Sequence, residues 1–407
     1  MTALPPDSGA GAVFGQLVGQ EAVVDQLSRA VRAARDPAAP PGAMTHAWLF
    51  TGPPGSGRSV AARAFAAALL CNQQGCGHCP SCRQVEVGSH ADLLLVRPDG
   101  LSYGVKQTRD LVLKAATAPV SSRWRIVLFE DADRATEQAA NALLKAIEEP
   151  APRTVWLLCA PYADDLPTTI RSRCRLVNLR TPPTEAVAAV LRGEGVPDDQ
   201  ALEAARAARG HIGRARRLAT DPESARRRAA VLKVPYQVSK LGDALAAADA
   251  LVKAAKADAD AVTSELDEPE REAMRRAFGE GSTGKGVASA VRGAAGALKE
   301  LENRQKSRAT RVQRDSLDRA LLDLAGFYRD VLAVQFGADV ELANAGQRED
   351  ISRLAAAAPP EVTVHRIEAI MKCRERLAAA VAPLLAVEEM TIALVGDRRP
   401  GAPPDRR

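Results

Sequence analysis

Residues 52–59 of this chain read Gly52-Pro53-Pro54-Gly55-Ser56-Gly57-Arg58-Ser59. They match the phosphate-binding loop pattern G-x-x-x-x-G-K-[ST], except that Arg58 replaces the lysine. In this pattern backbone N–H groups surround phosphate oxygens, the lysine reaches the β- and γ-phosphates, and the final hydroxyl binds Mg²⁺. Arginine presents a wide planar fork instead of a compact charge. The loop therefore predicts a site for ATP or ADP with Mg²⁺, but one in which hydrolysis is in doubt.

The residues around the loop predict the layout of a phosphate-binding domain. Residues 47–51 form a short apolar run typical of a buried strand, and residues 59–71 are rich in helix formers. This order of strand, loop and helix points a helix N-terminus at an anion. Further apolar runs follow at 92–96, 125–129, 154–159 and 174–179. Because helical segments such as 106–116 and 134–148 lie between the runs, we expect an α/β domain over residues 1–180 with a five-stranded parallel sheet.

After the sheet domain the sequence becomes helical. Residues 181–236 read as a few short helices punctuated by glycine, and they predict a small second domain. Residues 237–396 show no strand pattern and place apolar residues at helical spacing, which predicts an all-helical third domain. Within it 265–315 is charged, and we expect 279–286 to be a flexible loop between long helices. The tail at 397–407 is rich in Pro, Gly and Arg, and we expect it to be disordered.

Four of the seven cysteines lie close together in the sequence: Cys71, Cys76, Cys79 and Cys82. Clustered cysteines in a cytosolic chain favour metal binding over disulfides. Four thiolates complete a tetrahedral zinc site without the nearby His78 and His90, and a closed site of this kind is structural rather than catalytic. We therefore predict structural Zn²⁺, with an iron–sulfur cluster or four free thiols as the alternatives.

The composition is that of a globular and mildly basic protein. Of 407 residues, 46% are hydrophobic and 26% are charged, and the formal net charge is +5. This charge permits contact with nucleic acid but does not demand it. The sequence contains no apolar stretch of about 18 residues and no signal-peptide pattern. We therefore expect a cytoplasmic protein without a membrane partner.

Two acidic residues, Glu130 and Asp131, follow the apolar run at 125–129. Phosphate-loop ATPases normally place Asp-Glu here, where the aspartate orients Mg²⁺ and the glutamate activates water. The reversed order moves both carboxylates, and a displacement of about 1 Å can cost about a hundredfold in rate. The pair predicts residual metal binding with poor hydrolysis. The alternative is two acids that only cap the next helix.

Three further motifs occur in a characteristic order: Phe14 with Val18-Gly19-Gln20, then Asn141-Ala142-Leu143-Leu144-Lys145-Ala146-Ile147-Glu148-Glu149-Pro150, then Ile170-Arg171-Ser172-Arg173-Cys174. With the loop and the cysteines, they resemble the bacterial clamp-loader branch of the AAA+ ATPases. The resemblance covers the first 235 residues and, in character, the third domain. It implies an AAA+ core with a zinc-binding insertion at 71–82, a helical lid domain and a helical collar domain for ring assembly.

Within this branch the chain departs from the ATPase subunits at four places. Arg58 and the pair Glu130-Asp131 are two of them. Ala160 stands where a sensor threonine is usual, and Gly213 stands where a sensor arginine is usual, with Arg214 displaced by one position. The absence of the usual ATPase residues at all four places resembles the delta-prime type of subunit. This resemblance implies little or no ATPase activity of the chain alone.

Arg173 is the residue to which the resemblance assigns a catalytic role. Delta-prime subunits lend this arginine to a neighbouring ATPase subunit, where a guanidinium against the γ-phosphate can contribute roughly 10³ to 10⁵ in rate. Arg171 and Arg175 are weaker candidates on the same edge. For an isolated motif, the alternative is a surface arginine that pairs with an acid.

The resemblance also implies the partners and the process. These are gamma/tau ATPase subunits and a delta subunit of DNA polymerase III, a sliding clamp, and primer–template DNA contacted through its backbone by the assembled ring. Two other functions stay open: a gamma/tau-type ATPase, and a zinc-containing scaffold that binds no nucleotide.

Overall fold

The structure is a computed structural model that describes residues 11–98, 100–277 and 287–395. It divides into two compact units, the first formed by residues up to 98 with 102–219, and the second by 99–101 with the residues from 220 onward. The predicted flexible loop and the predicted disordered tail lie outside the described residues.

The first unit is built on one five-stranded sheet. Its strands are β1 Ala47–Thr51, β2 Leu93–Val96, β3 Arg125–Phe129, β4 Thr154–Ala160 and β5 Arg175–Asn178. Every pairing is parallel and the order is β2-β3-β4-β1-β5. The predicted five-stranded parallel sheet is therefore confirmed, with β1 and its phosphate loop between β4 and β5.

Helices cover both faces of the sheet, which explains why the strands are continuously apolar. These helices are α1 Glu21–Ala33, α2 Arg58–Leu70, α3 Pro80–Val87, α4 Val105–Ala115, α5 Glu137–Glu148 and α6 Thr168–Arg171. Because successive strand residues point to opposite faces, Trp48 packs with Phe65 of α2, whereas Leu49 belongs to the core that contains Leu143 of α5.

Three short helices complete the first unit: α7 Thr184–Gly193, α8 Asp198–Ala208 and α9 Ile212–Thr220. They enclose a small core of their own around Val187, Leu191 and Ala205. The next helix, α10 Pro222–Gln237, instead contributes Leu232 to the core of the second unit. The first unit therefore ends before the predicted lid boundary at 236, and the domain limits stay predictions.

The described part of the second unit contains helices and no strands. They are α10 together with α11 Leu241–Ala277, α12 Val287–Gln335, α13 Arg348–Ala357, α14 Pro360–Ala378 and α15 Pro383–Leu394. The core includes Leu321, Phe327 and Tyr328 of α12 with Ile370 of α14. The predicted all-helical C-terminal region is confirmed. Among the described helices, none combines the length and the apolar character needed to cross a membrane.

A buried carboxylate fixes the chain between β2 and β3. Asp92 is fully buried and accepts hydrogen bonds from the backbone N–H groups of Val120 at 2.6 Å and Ser121 at 2.8 Å, and from the hydroxyls of Ser121 and Ser122. Burial opposes ionisation of Asp92, but these hydrogen bonds outweigh it and lower its pKa to about 2. The ionised form therefore stabilises the fold.

We predict that Asp92→Asn lowers the free energy of unfolding at pH 7 by about 2 kcal/mol, since the pKa is depressed from 3.8 to about 2. The stabilisation is fully present above the unfolded-state pKa and is lost as the pH falls through the folded-state pKa. Urea unfolding at pH 7 and near the folded-state pKa measures this, with Asp110→Asn on the exposed face of α4 as the control. An equal cost at both pH values contradicts the prediction.

Candidate functional site

The phosphate loop adopts a backbone that favours glycine at three of its positions. Gly52 has φ +149°, Gly55 has φ +92° and Gly57 has φ +89°. A Cβ on Gly52 would lie 2.5 Å from the carbonyl oxygen of Leu179, and one on Gly55 would lie 3.0 Å from Cα of His211. The loop is therefore closely enclosed by the chain after β5 and by the residue that precedes α9.

Two polar side chains hold the loop from within the first unit. Arg58 begins α2, and its guanidinium donates a hydrogen bond to the carbonyl oxygen of Gly52. The buried Gln20 amide donates to the carbonyl oxygen of Arg180 at 2.6 Å and to that of Ser56 at 3.4 Å. The guanidinium of Arg58, which replaces the expected lysine, is thus bound to the loop's own backbone.

The first acid at the end of β3 is neutralised by two arginines. Glu130 is buried, and its carboxylate lies 2.7 Å from Nε of Arg97 and 3.1 Å from a terminal nitrogen of Arg63. Asp131 follows in a left-handed conformation with φ +49°. Sequence reasoning selected Glu130 and Asp131 but missed both arginines. For Arg97 the sequence shows only that it directly follows the apolar run of β2, and the pairing of β2 with β3 comes from the structure.

A buried thiol lies beside the loop hydroxyl. It belongs to Cys159 near the end of β4, and its neighbours include Ser59. Burial raises the pKa of the Cys159 thiol, and the nearby carboxylates of Glu130 and Asp131 raise it further. Mg²⁺ in a phosphate-loop ATPase needs the hydroxyl and the first acid as free ligands. Since the carboxylate of Glu130 is held by Arg63 and Arg97, the first acid is not a free ligand, and the residues present do not fit that ion.

The predicted sensor positions lie beside the loop. Ala160 ends β4 and is fully buried, so its methyl group supplies no polar contact to a phosphate. Gly213 lies in the first turn of α9, where a Cβ would come within 3.5 Å of the His211 ring. The structure thus brings the predicted loop, acids and sensor positions together at the carboxyl edge of the sheet.

Arg173 lies away from this loop, on the surface. Its guanidinium is 2.6 Å from the carboxylate of Glu148 at the end of α5, and it donates to the carbonyl oxygen of Thr169 at 2.8 Å and to the hydroxyl of Ser172 at 3.2 Å. The Arg173 side chain is 40% exposed. These partners belong to α5, to α6 and to the residue that follows α6, and none belongs to the phosphate loop.

The two weaker arginine candidates have structural partners. Arg175 stacks over Trp48 with 5.2 Å between the guanidinium carbon and the ring centroid, and it donates to the carbonyl oxygen of Ala43 at 3.1 Å. Arg171 pairs with Asp164. The packing of Arg175 against the sheet makes it the least available of the three.

The four clustered cysteines form a set that could hold a metal ion. Their sulfurs all lie within 4.8 Å of one another, and Sγ of Cys71 is 3.7 Å from those of Cys76 and Cys79. A tetrahedral zinc site with bonds of about 2.3 Å separates its sulfurs by about 3.8 Å. Burial opposes ionisation of Cys71, but hydrogen bonds from the backbone of Cys76, Gln73 and Gly75 outweigh it and lower its pKa to about 6. The donor set therefore fits zinc.

The two nearby histidines stand outside this set. Nδ1 of His90 accepts a hydrogen bond from the backbone N–H of Asp92 at 3.0 Å, and its Nε2 lies 2.9 Å from the hydroxyl of Ser81. His78 is exposed and bonds to the carbonyl oxygen of Cys76. His90 therefore connects α3 to the start of β2, and four sulfurs remain as the ligand set.

Two family models match separate parts of the chain. The one described as "DNA polymerase III, delta subunit" matches residues 20–183, and "DNA polymerase III, delta subunit, C terminal" matches residues 310–393. The chain belongs to this family of DNA polymerase III clamp-loader subunits. The family to which the sequence motifs pointed is thus confirmed.

Individual members of the family each match less than half of this chain. Subunit delta' of Bacillus subtilis is 33% identical over 198 residues, or 48% of this chain and 60% of that protein. Subunit delta' of Haemophilus influenzae is 36% identical over 161 residues, 39% of this chain and 49% of that protein. Subunit gamma/tau of Mycobacterium bovis is 35% identical over 200 residues, 47% of this chain and 33% of that protein. The chain thus spans about a third of the gamma/tau relative and about half or slightly more of the delta' relatives.

Solved structures show looser similarity. A DNA polymerase III gamma subunit-related protein of Thermotoga maritima is 20% identical with a TM-score of 0.36, covering 86% of this chain and 99% of that one. A RuvB variant of the same organism is 18% identical with a TM-score of 0.38, covering 54% of this chain and 64% of that one. The fold itself rests on the strand order described above.

We predict that the purified clamp-loader subunit carries about one Zn²⁺ per chain, held by the four thiolates. Cys76→Ser removes one ligand and should lower the bound zinc to well below half of the wild-type content, as measured by elemental analysis. Replacement by Co²⁺ should give the absorption bands of a four-sulfur tetrahedral site. Cys174→Ser changes a cysteine outside the cluster and should leave the content unchanged. Iron in place of zinc, or no metal in the wild type, contradicts the prediction.

Proposed function

We propose that this chain is the delta-prime type of subunit in a DNA polymerase III clamp loader, in the cytoplasm. It joins gamma/tau ATPase subunits and a delta subunit, and the assembly opens the sliding clamp and places it on primer–template DNA. One observation carries the proposal. The groups that would catalyse hydrolysis in this chain are bound to protein partners, whereas Arg173 is presented at the surface.

The chain's own site lacks the means to hydrolyse ATP efficiently. Arg58 points to the carbonyl oxygen of Gly52, and Glu130 is held by two guanidiniums. Phosphoryl transfer depends on charges placed against the γ-phosphate and on a positioned water. Arg58 and Glu130 are bound to other protein groups, and Ala160 occupies the sensor position. The site therefore supports nucleotide binding without efficient hydrolysis. This favours the non-hydrolysing subunit over a gamma/tau-type ATPase, although a gamma/tau protein is among the relatives.

Arg173 has the properties required of an arginine that acts on a neighbour. It is exposed, and three contacts orient it. Its ion pair with Glu148 is solvent-exposed, and such pairs contribute only about 0–1 kcal/mol. Arg173 can therefore exchange Glu148 for the γ-phosphate of ATP bound to an adjacent subunit at little cost. In that position the guanidinium stabilises the charge that develops in the transition state.

The main prediction concerns the assembled loader with clamp and primed DNA. Arg173→Ala should lower its ATP hydrolysis rate by at least about tenfold, because the neighbouring site loses transition-state stabilisation. This chain alone should show no turnover. Steady-state phosphate release measures both, with KM for ATP recorded separately from kcat, since a finger acts mainly on kcat.

Arg171→Ala is the matched control for this prediction, since it removes an arginine only two residues away, at the end of α6, and should leave the rate unchanged. Turnover by the isolated chain, together with an unaffected Arg173→Ala loader, would replace this proposal by the gamma/tau-type ATPase. A zinc scaffold without nucleotide is favoured if the chain binds no nucleotide and Arg173→Ala has no effect.

A further inference from the structure

We propose that the phosphate loop binds the phosphates of a nucleotide as free anions, without Mg²⁺, because the chain's own arginines take the place of the ion. This inference rests on the proposed non-hydrolysing role and specifies which ligand such a site takes. It departs from the use of a metal–nucleotide complex that the loop sequence predicts.

The first support is the state of Glu130, the acid that would coordinate Mg²⁺. Glu130 contacts Arg97 through both oxygens, at 2.7 and 3.5 Å, and Arg63 at 3.1 Å. Its side chain is only 10% exposed. An ion that entered here would have to displace both guanidiniums from the carboxylate.

The second support is the charge that remains around the loop. The guanidiniums of Arg63 and Arg97 both contact the single carboxylate of Glu130, so that this cluster carries one positive charge in excess. A divalent cation would add to this positive charge and be repelled. An uncomplexed polyphosphate carries more negative charge than its Mg²⁺ complex and is attracted more strongly.

The third support is that the loop keeps the geometry for anions. Gly57 precedes α2, which begins at Arg58. The backbone N–H groups of the first turn and the positive end of the helix dipole therefore both point at the phosphate position in the loop. The close approach of His211 to Gly55 encloses the loop from the other side. Backbone donors and the built-in positive charge together replace what Mg²⁺ supplies in an ATPase.

The test is a calorimetric titration of the full chain with ADP, once in EDTA and once in excess MgCl₂. We expect binding in EDTA, with an affinity that is equal to or higher than the affinity in Mg²⁺, the two differing by less than about fivefold. Binding that occurs only with Mg²⁺ overturns the proposal. Absence of binding in both buffers overturns it as well.

Arg97→Ala tests whether the arginines are the cause. Arg97 is half exposed, so its removal frees one edge of the Glu130 carboxylate with little loss of packing. We expect Mg²⁺ to raise the ADP affinity of this variant by about tenfold or more. The double variant Arg97→Ala/Glu130→Gln should lose that response, because no carboxylate remains to hold the ion. Arg109→Ala on the exposed face of α4 is the control and should behave as the wild type.

If Arg97→Ala stays insensitive to Mg²⁺ while folded, as judged by its thermal unfolding, the arginines do not exclude the ion and the proposal fails. Should Arg97→Ala not fold, Arg97→Lys takes its place, since it keeps a positive charge but lacks the planar fork. The same titrations with ADP in EDTA and in MgCl₂ then decide whether the arginine excludes the ion. These experiments use the chain alone. The titrations can contradict Mg²⁺-free binding while the ATPase assay of the assembled loader still supports the role of Arg173. Equally, the ATPase assay can contradict that role while the titrations support Mg²⁺-free binding.

Discussion

The in-register parallel pairing of β1 with β4 on one side and β5 on the other fixes the phosphate loop, and the rest of the site depends on it. The N–H of Gly52 donates to the carbonyl oxygen of Pro161, just after β4, at 3.0 Å. The carbonyl oxygen of Leu179, just after β5, packs against Gly52 from the other side. A residue with a Cβ at this point would push the ends of two strands apart. The loop is therefore set by the sheet before any ligand is present.

The same edge of the sheet also brings the charged residues together. In a parallel sheet the carboxyl ends of neighbouring strands lie side by side, so the residue after β2 and the residue after β3 become neighbours. Here they are Arg97 and Glu130, and α2 adds Arg63 from above. A topology that serves nucleotide hydrolysis in phosphate-loop ATPases here assembles a closed ion cluster. The difference lies in a few side chains and leaves the backbone layout intact.

The strands could be predicted from the sequence almost to the residue because strands buried on both faces read as continuous apolar runs. The run at 125–129 coincides with β3, and the run at 92–96 differs from β2 by one residue. The partners of Glu130 could not be predicted in the same way. Arg63, Arg97 and Glu130 are far apart in sequence, and an isolated arginine reads as a solvated side chain until the strand order is known.

Two other features escaped the sequence for related physical reasons. Cys159 reads as one more apolar residue of β4, and only the fold shows that its thiol lies close to the phosphate loop. Helix α10 can be recognised as a helix, but which core its Leu232 joins depends on packing against α11 and α12. Local propensity determines that a helix forms, whereas tertiary packing determines the compact unit to which it belongs.

The arginines of this chain differ in the free energy needed to separate them from their acidic partners. This difference matches the two proposed roles, a nucleotide site that does not hydrolyse ATP and an arginine that acts on a neighbouring subunit. Removing one partner from a buried ion pair costs about 3–5 kcal/mol, because a charge is left without solvent or partner. The pair of Glu130 with Arg63 is largely buried, whereas Arg97 is half exposed, so Glu130 holds Arg63 more firmly than Arg97. The exposed pair of Arg173 with Glu148 contributes about 0–1 kcal/mol, because water solvates both groups when they separate. A chain built in this way keeps its own nucleotide site static while leaving one guanidinium free to change partners when a neighbouring subunit presents a γ-phosphate.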